Sequence, residues 1–276
     1  MIESLSLARL RPITRTSFTA FGALILRDLV VLRKGIWAFI IRTIMQPLLF
    51  VFVFTYVFPK IGQGIGGASG AADFSSLLVP GVVAIACVFQ GIQAVALPLV
   101  QEFSYTREIE DRVMAPLPVW AVALEKIAAG ALQGVIAGVI VFPLALVIPT
   151  TPVHLNVRWF ELITFLPLAA IVGAGLGLTI GTRVKPQQVP LIFSIIVLPI
   201  TFLGATYYPW TTLTPIAWLK WSVLINPLVY MSEAFRTALT PQIPHMPTPL
   251  IYLALIAFGA GLSWLGIDGF KKRVLA

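Results

Sequence analysis

Long apolar blocks separated by short polar segments dominate the chain. Each block holds roughly 18 to 24 residues, enough for a helix rising ~1.5 Å per residue to cross ~30 Å of hydrocarbon. Strands of a membrane barrel would show short alternating segments instead. The pattern predicts an all-α integral membrane protein with six transmembrane helices, at residues 37–58, 74–97, 127–148, 162–180, 189–206 and 250–267.

Composition supports this fold class, because the 276 residues are 58% hydrophobic and only 11% charged. So little polar surface cannot cover a soluble globule. Charges at Arg27, Asp28, Arg33 and Lys34 interrupt the apolar region that a cleavable signal peptide would need, so we expect the first span to remain as an anchor.

The net charge of +8 is unevenly distributed. Lys and Arg concentrate before span one, between spans two and three, after span four and at the end of the chain. This asymmetry is typical of the positive-inside rule and predicts that both termini are cytoplasmic. The basic excess therefore indicates topology rather than nucleic-acid binding, with at most a share for anionic lipid.

Two polar segments flank the first two spans. Residues 18–36 combine apolar and charged positions as an amphipathic interfacial helix would. The segment 99–118, which includes "EFSYTREIEDRVMAPLP", alternates charges at helical spacing before two prolines. We expect a short cytoplasmic helix there, either a solvated turn or an element that docks into a partner and carries force into the membrane.

Small residues and aromatic residues mark two further features. Glycines recur every four residues at Gly130, Gly134 and Gly138, and again at Gly173, Gly177 and Gly181, which predicts helix-packing faces. Residues 207–240 are too polar and proline-rich for one crossing, yet rich in Trp and Tyr. Such composition favours re-entrant helices at the outer interface.

Residues that could carry catalysis are scarce. His154 and His245 have no metal-ligating companions in sequence, Cys87 has no disulfide partner, and no paired acidic residues lie inside a predicted span. "GQGIGG" at 62–67 fits a dinucleotide pattern without the strand that should precede it, and no GxxxxGK[ST] occurs. We therefore expect no enzyme activity, metal or cofactor in this chain.

Five segments, in order, resemble the permease subunits of ABC-2 type transporters, bacterial exporters whose fold is shared with the ABCG group. They are "LILRDLVVLRKG" from Leu24, "LLVPGVVAIACVFQGI" from Leu77, "REIEDRVMAPLPVWAVALEKI" from Arg107, "FLGATYYPW" from Phe202 and "INPLVYMSEAFR" from Ile225. The resemblance covers nearly the whole chain, so residues 1–276 would form one transmembrane domain. The coupling segment departs from the commonest version, because Ile109, Glu110 and Asp111 stand where a glycine and a small hydroxyl residue often follow the Arg-Glu pair.

The resemblance implies a half-transporter in a bacterial inner membrane. A second permease copy, identical or similar, would complete a membrane dimer, most simply a homodimer among membrane lipids. Two cytoplasmic ATPase subunits would supply ATP and Mg²⁺. The implied positions for ATPase coupling are Glu102, Arg107, Glu108, Asp111 and Arg112, supported by Arg27, Asp28 and Arg33. The implied substrate path is lined by Phe89, Gln90, Gln93, Phe193, Phe202, Tyr207 and Tyr208.

The leading functional hypothesis is ATP-driven export of an amphipathic drug or lipid. "EDRVMAPLP" is similar to the drug and lipid exporting branch, whereas "LRDL" ahead of Trp37 and Pro47 also resembles polysaccharide exporters, so export of a lipid-linked glycan is the alternative. A membrane-embedded lipid-modifying enzyme and a passive channel are the rivals from other classes.

Overall fold

The computed structural model of the chain describes residues 15–57, 60–61, 67–106, 109, 112, 117–149, 153–188, 191, 195 and 197–275. Every regular element within these ranges is a helix. The main helices are α1 (Arg15–Lys34), α2 (Ile36–Val51), α3 (Gly67–Gln101), α4 (Val119–Val147), α5 (Trp159–Arg183), α6 (Leu198–Phe202), α7 (Ala217–Ser222), α8 (Pro227–Leu239) and α9 (Thr248–Leu275). The all-α fold class is thus confirmed for the described part of the chain.

Five of the helical segments are long and apolar enough to cross a membrane: α2 with its π-helical continuation Phe52–Val57, then α3, α4, α5 and α9. The fifth predicted span, 189–206, lies partly outside the described residues, and its described end contains only the short helix α6. A sixth crossing therefore stays a prediction, as does the re-entrant path of residues 207–240.

Helix α4 begins earlier than hydropathy indicated. The predicted span started at residue 127, but the helix begins at Val119, directly after Pro118, whose backbone is extended (φ −68°, ψ 147°). Proline cannot donate a backbone hydrogen bond and is well tolerated at a helix start. As a result Glu125 and Lys126 belong to the membrane helix rather than to the preceding loop.

Helices α3 and α5 pack backbone against backbone at the centre of the bundle. A Cβ added at Gly177 would lie 2.8 Å from the Gly91 oxygen, and one added at Gly91 would lie 2.7 Å from the Ala174 nitrogen. Gly130 of α4 likewise faces Val95 and Ala174. The predicted glycine packing faces are therefore confirmed, because only residues without a Cβ permit this approach.

The two ends of the bundle differ in chemistry. At the charged end, the end of α3 and the start of α4 meet through the pair Glu102 and Lys126. At the opposite, aromatic end, Gly81 of α3 lies against the backbone of Thr206, and short helices fill residues 210–239.

A buried ion pair organises the aromatic end. Glu233 and Arg236 of α8 are fully buried and paired with each other. Glu233 also accepts hydrogen bonds from the backbone nitrogens of Trp210 (2.9 Å) and Met246 (2.7 Å). Arg236 donates to the carbonyl of Ala205 at 2.9 Å. The pair thus ties α8 to the segments before and after it.

Candidate functional site at the charged end

A cluster of buried charges forms around the guanidinium of Arg112. Its Nη2 lies 3.1 Å from Asp28 Oδ1 and 3.3 Å from Glu102 Oε1, while Nη1 lies 3.5 Å from Glu125 Oε2. These carboxylates belong to α1, to the turn after α3 and to α4. One side chain from the predicted coupling segment therefore contacts three separate helical elements.

Lys126 completes the cluster. Its Nζ donates to Glu102 Oε1 at 2.6 Å, so Glu102 is shared between two cations. Glu102 lies in the π-helical turn Glu102–Thr106, which continues α3. We call Asp28, Glu102, Arg112, Glu125 and Lys126 the charge cluster.

The charge cluster is shielded from solvent. Arg112 is 6% exposed and Glu125 is completely buried. Burial alone lowers the pKa of the Arg112 guanidinium, but the carboxylates of Glu102, Asp28 and Glu125 outweigh it, so the pKa is raised overall. Arg112 therefore stays charged, and displacing it would leave three carboxylates facing one ammonium in a low-dielectric site.

Several polar atoms of the charge cluster have no hydrogen-bond partner in the described part of the chain. They are Glu102 Oε2, Arg112 Nε and Nη1, and both carboxylate oxygens of Glu125. A cavity of about 630 Å³ adjoins the cluster and is lined by Asp28, Glu102, Arg112 and Lys126, together with residues of α1, α2 and α3. The cluster is thus held by charge pairing in a pocket with room for rearrangement.

The predicted coupling residues divide into three groups. Asp28, Glu102 and Arg112 come together in the charge cluster, and Arg27 lines the cavity beside it. Arg33 is exposed near the end of α1. Arg107, Glu108 and Asp111 lie outside the described residues.

Glu125 and Lys126 were not among the sequence-predicted candidates. The available signal was the acidic and basic pair in "ALEKI", which precedes an apolar block. Whether this pair joins the cluster depends on which turn of α4 faces α3, and hydropathy gives no information about helix packing.

The predicted path residues lie at two levels of the bundle. Gln90 is 3% exposed; it accepts a hydrogen bond from Thr43 of α2 at 3.2 Å and donates one to Gln133 of α4 at 3.3 Å. This polar chain joins three helices. Phe89 and Gln93, which flank Gln90 in the sequence of α3, are partly buried.

The remaining path candidates lie toward the aromatic end. Phe202 and Tyr207 have ring centroids 6.3 Å apart, and Tyr207 also contacts Phe50 and Phe54 in the first membrane-crossing segment. Tyr208 packs against a separate small cluster that includes Leu213 and Val229. Phe193 is outside the described residues. Thr206 lies against Gly81, and Gly81 precedes Gln90 by nine residues in α3. The two levels are therefore about 14 Å apart along this helix.

The described residues contain no group of three or more His, Cys, Asp or Glu side chains that could hold a metal ion. His154 and His245 are at the aromatic end, where the His154 backbone nitrogen donates to Ser76 and the His245 ring contacts the Met246 carbonyl.

These features define a helical membrane protein with a buried, cross-linked charge cluster at one end. The sequence model of the ABC-2 type transporter family matches residues 19–240, and the chain belongs to this family. The match covers most of α1, the charge cluster and the buried ion pair of α8.

Curated relatives agree with this assignment. The chain is 27% identical over 213 residues to the inner membrane transport permease YadH of Escherichia coli K12, covering 74% of this chain and 80% of the relative. The YadH proteins of Escherichia coli O157:H7 and Shigella flexneri match with the same identity and coverage. The chain is therefore a transporter membrane component of this family.

Proposed function

We propose that the chain is the permease subunit of an ATP-driven exporter that moves an amphipathic drug or lipid across a bacterial inner membrane. The observation that carries this proposal is the contact of Arg112 with Asp28, Glu102 and Glu125. A displacement of the segment around Arg112 acts on α1, α3 and α4 together. Such a linkage suits a membrane subunit driven from one end.

The charged end is the cytoplasmic end in this proposal. The last turns of α1, α5 and α9 carry Arg33, Lys34, Arg183, Lys272 and Arg273, as the positive-inside rule requires of a cytoplasmic face. Two ATPase subunits with their ATP and Mg²⁺ would bind there. Nucleotide binding closes the ATPases and shifts the permease toward the state in which nucleotide is bound more tightly. The size of the shift is set by the difference in nucleotide affinity between the two states.

A second permease copy completes the transporter. Helix α2 exposes Trp37, Ile41, Met45 and Leu49, a row of apolar side chains that repeats every four residues. In a membrane such a row faces lipid or the hydrocarbon chain of a bound amphiphile, so the proposed second copy contacts another face of the bundle. The exporter is proposed as a homodimer, with both termini in the cytoplasm and no catalytic residue in this chain.

Affinity purification of the tagged chain from its native host in mild detergent tests the proposal. We expect a P-loop ATPase to co-purify with wild type and to be lost with Glu108→Arg and Asp111→Arg. Glu161→Arg, at the start of α5 on the aromatic end, is the matched control and should retain the ATPase. Recovery of no ATPase under several gentle extractions would overturn the exporter assignment.

Reconstitution separates the functional classes. Proteoliposomes containing the co-purified complex should accumulate a fluorescent amphipathic drug or lipid only with ATP. Conductance without nucleotide would indicate a channel. ATP-dependent movement of a lipid-linked oligosaccharide alone would assign the chain to glycan export.

A further inference from the structure

An open groove runs along α2 on the outside of the bundle. It has a volume of about 940 Å³. Its apolar wall consists of Ala38, Ile41, Met45, Leu49, Phe50, Val53 and Phe54. These residues span about 24 Å of helix, so the groove is long enough for an extended hydrocarbon chain.

Two polar side chains, Arg42 and Gln93, interrupt this apolar wall. Arg42 is an exposed residue of α2, and Gln93 faces it from α3. Both also line the cavity beside the charge cluster, as does Ala38, so the groove and that cavity adjoin at these three residues. The polar groups therefore lie toward the charged end of an otherwise hydrophobic groove.

Arg42 has no counter-ion in the described part of the chain. No carboxylate there lies within salt-bridge distance of its guanidinium. The carboxylates that line the adjoining cavity, Asp28 and Glu102, are already paired with Arg112 and Lys126. A lone guanidinium beside hydrocarbon is costly, and an anion that reaches it removes this cost.

We propose that the groove binds an anionic amphiphile, with its phosphate or carboxylate at Arg42 and Gln93 and its hydrocarbon chain along α2. The guanidinium offers a forked pair of donors suited to such oxygens, and the Gln93 amide can add a third. The aliphatic and aromatic wall supplies apolar contact of matching length. This inference rests on the proposed function and names the charge of its substrate class.

Charge complementarity favours this occupant over two others. A cationic amphiphile would place two positive charges together. A second copy of the chain seated on the groove would bring the same unpaired Arg42 from its own α2. An anionic lipid that stays bound in the groove would make the same contacts as a transported one. Only the transported molecule would be released in response to ATP, so the ATP dependence of release distinguishes the two.

Binding of three amphiphiles with the same alkyl chain tests the site. The tagged chain, together with any ATPase that co-purifies, is placed in nanodiscs of zwitterionic lipid, and binding of radiolabelled dodecyl phosphate is measured against unlabelled dodecyl maltoside and dodecyltrimethylammonium. We expect dodecyl phosphate to bind at least about tenfold more tightly than the other two, as a charge-assisted contact requires. Equal affinity for the three would overturn the proposal.

Substitutions locate the site. Arg42→Gln should reduce dodecyl phosphate affinity about tenfold, whereas Arg42→Lys should retain part of it because the charge remains. Arg183→Gln is the control, since Arg183 is also exposed at the charged end but lines a different cavity. The same loss in Arg183→Gln, or none in Arg42→Gln, would contradict the assignment to the groove.

A cross-linking measurement decides whether a second copy fills the groove. Met45→Cys places a thiol on the groove wall, and the native Cys87 is buried. Rapid disulfide formation between two chains would overturn the proposal in favour of a subunit interface. Absence of cross-linking, together with protection of the introduced thiol from maleimide by dodecyl phosphate, supports it.

Different results would overturn the groove assignment and the exporter assignment. If the ATPase co-purifies and its activity responds to cationic and anionic amphiphiles alike, the exporter stands and the anionic preference falls. If dodecyl phosphate binds as expected but no ATPase co-purifies, the site remains as a lipid site and the exporter falls. ATP-dependent release of bound dodecyl phosphate identifies the occupant as substrate, whereas ATP-independent retention overturns the substrate assignment.

Discussion

The Arg112 guanidinium donates to Asp28 Oδ1 at 3.1 Å, across 84 positions of the sequence. Asp28 lies in the amphipathic helix α1, and Arg112 in the segment between α3 and α4. In soluble proteins an exposed ion pair adds little to the free energy of unfolding. Here the Asp28 side chain is only 19% exposed and the Arg112 side chain only 6%. The contact therefore constrains how α1 sits against the coupling segment.

Removal of the central cation tests this constraint. We expect Arg112→Met to destabilise the protein by about 3–5 kcal/mol, because three carboxylates are then left with Lys126 alone. Thermal denaturation in detergent, followed by size-exclusion chromatography, measures the loss. Arg112→Lys should recover part of the stability, and Arg183→Met should leave it unchanged because Arg183 is exposed. An unaltered melting curve for Arg112→Met would show that the charge cluster does not hold these elements together.

The buried pair of α8 should behave differently from an exposed pair nearby. Glu233→Gln leaves Arg236 uncompensated in a fully buried site and weakens the acceptors of the Trp210 and Met246 nitrogens. We expect a cost of about 3–5 kcal/mol, against at most ~1 kcal/mol for Glu161→Gln, whose partner Arg158 is 3.9 Å away and 46% exposed. Comparable shifts in melting temperature for the two variants would contradict the structural role of the Glu233 and Arg236 pair.

The sequence predicted most of the long helices, because a membrane crossing requires a block of apolar residues of nearly fixed length. It misjudged where α4 begins. The predicted span began only after the charges of "EK". The helix itself begins directly after Pro118 and includes Glu125 and Lys126. Charges at a membrane-helix end are tolerated when they are paired inside the bundle, and hydropathy does not report pairing.

Three of the five members of the charge cluster were predicted, singly and not as a cluster. Asp28, Glu102 and Arg112 each lie in a segment whose polarity singled it out, but local periodicity relates only residues within a few turns. The pairing of Asp28 with Arg112 depends on how α1 packs at the charged end, which is a tertiary property. Gln90 shows the same limit, because the sequence does not reveal that its amide accepts a hydrogen bond from Thr43 and donates one to Gln133.

The close approach of α3 and α5 predicts a sharp difference between two glycines. Gly177→Ala puts a methyl group 2.8 Å from the Gly91 oxygen and 2.9 Å from the Ile92 Cα, so the helices must separate. We expect a loss of about 1–3 kcal/mol, as for other overpacked cores. Gly261→Ala in α9 has nothing within 4 Å of the new methyl and should be neutral or slightly stabilising. Thermal denaturation of the two purified variants measures both, and an equal effect would show that the α3 and α5 backbones are not in contact.

The single cysteine provides a test of packing in the intact membrane. Cys87 is fully buried in α3, and a Cβ built on Gly138 of α4 would lie 2.9 Å from its Sγ. Because reagents cannot reach a thiol enclosed by two helices, a membrane-permeant maleimide should label Cys87 at least about a hundredfold more slowly in native membranes than in sodium dodecyl sulfate. Gly138→Ala pushes against this sulfur and should speed labelling, whereas Gly261→Ala should not. Fast labelling of the native protein would mean that α3 is open to lipid or water at Cys87, and would place the core of the bundle elsewhere.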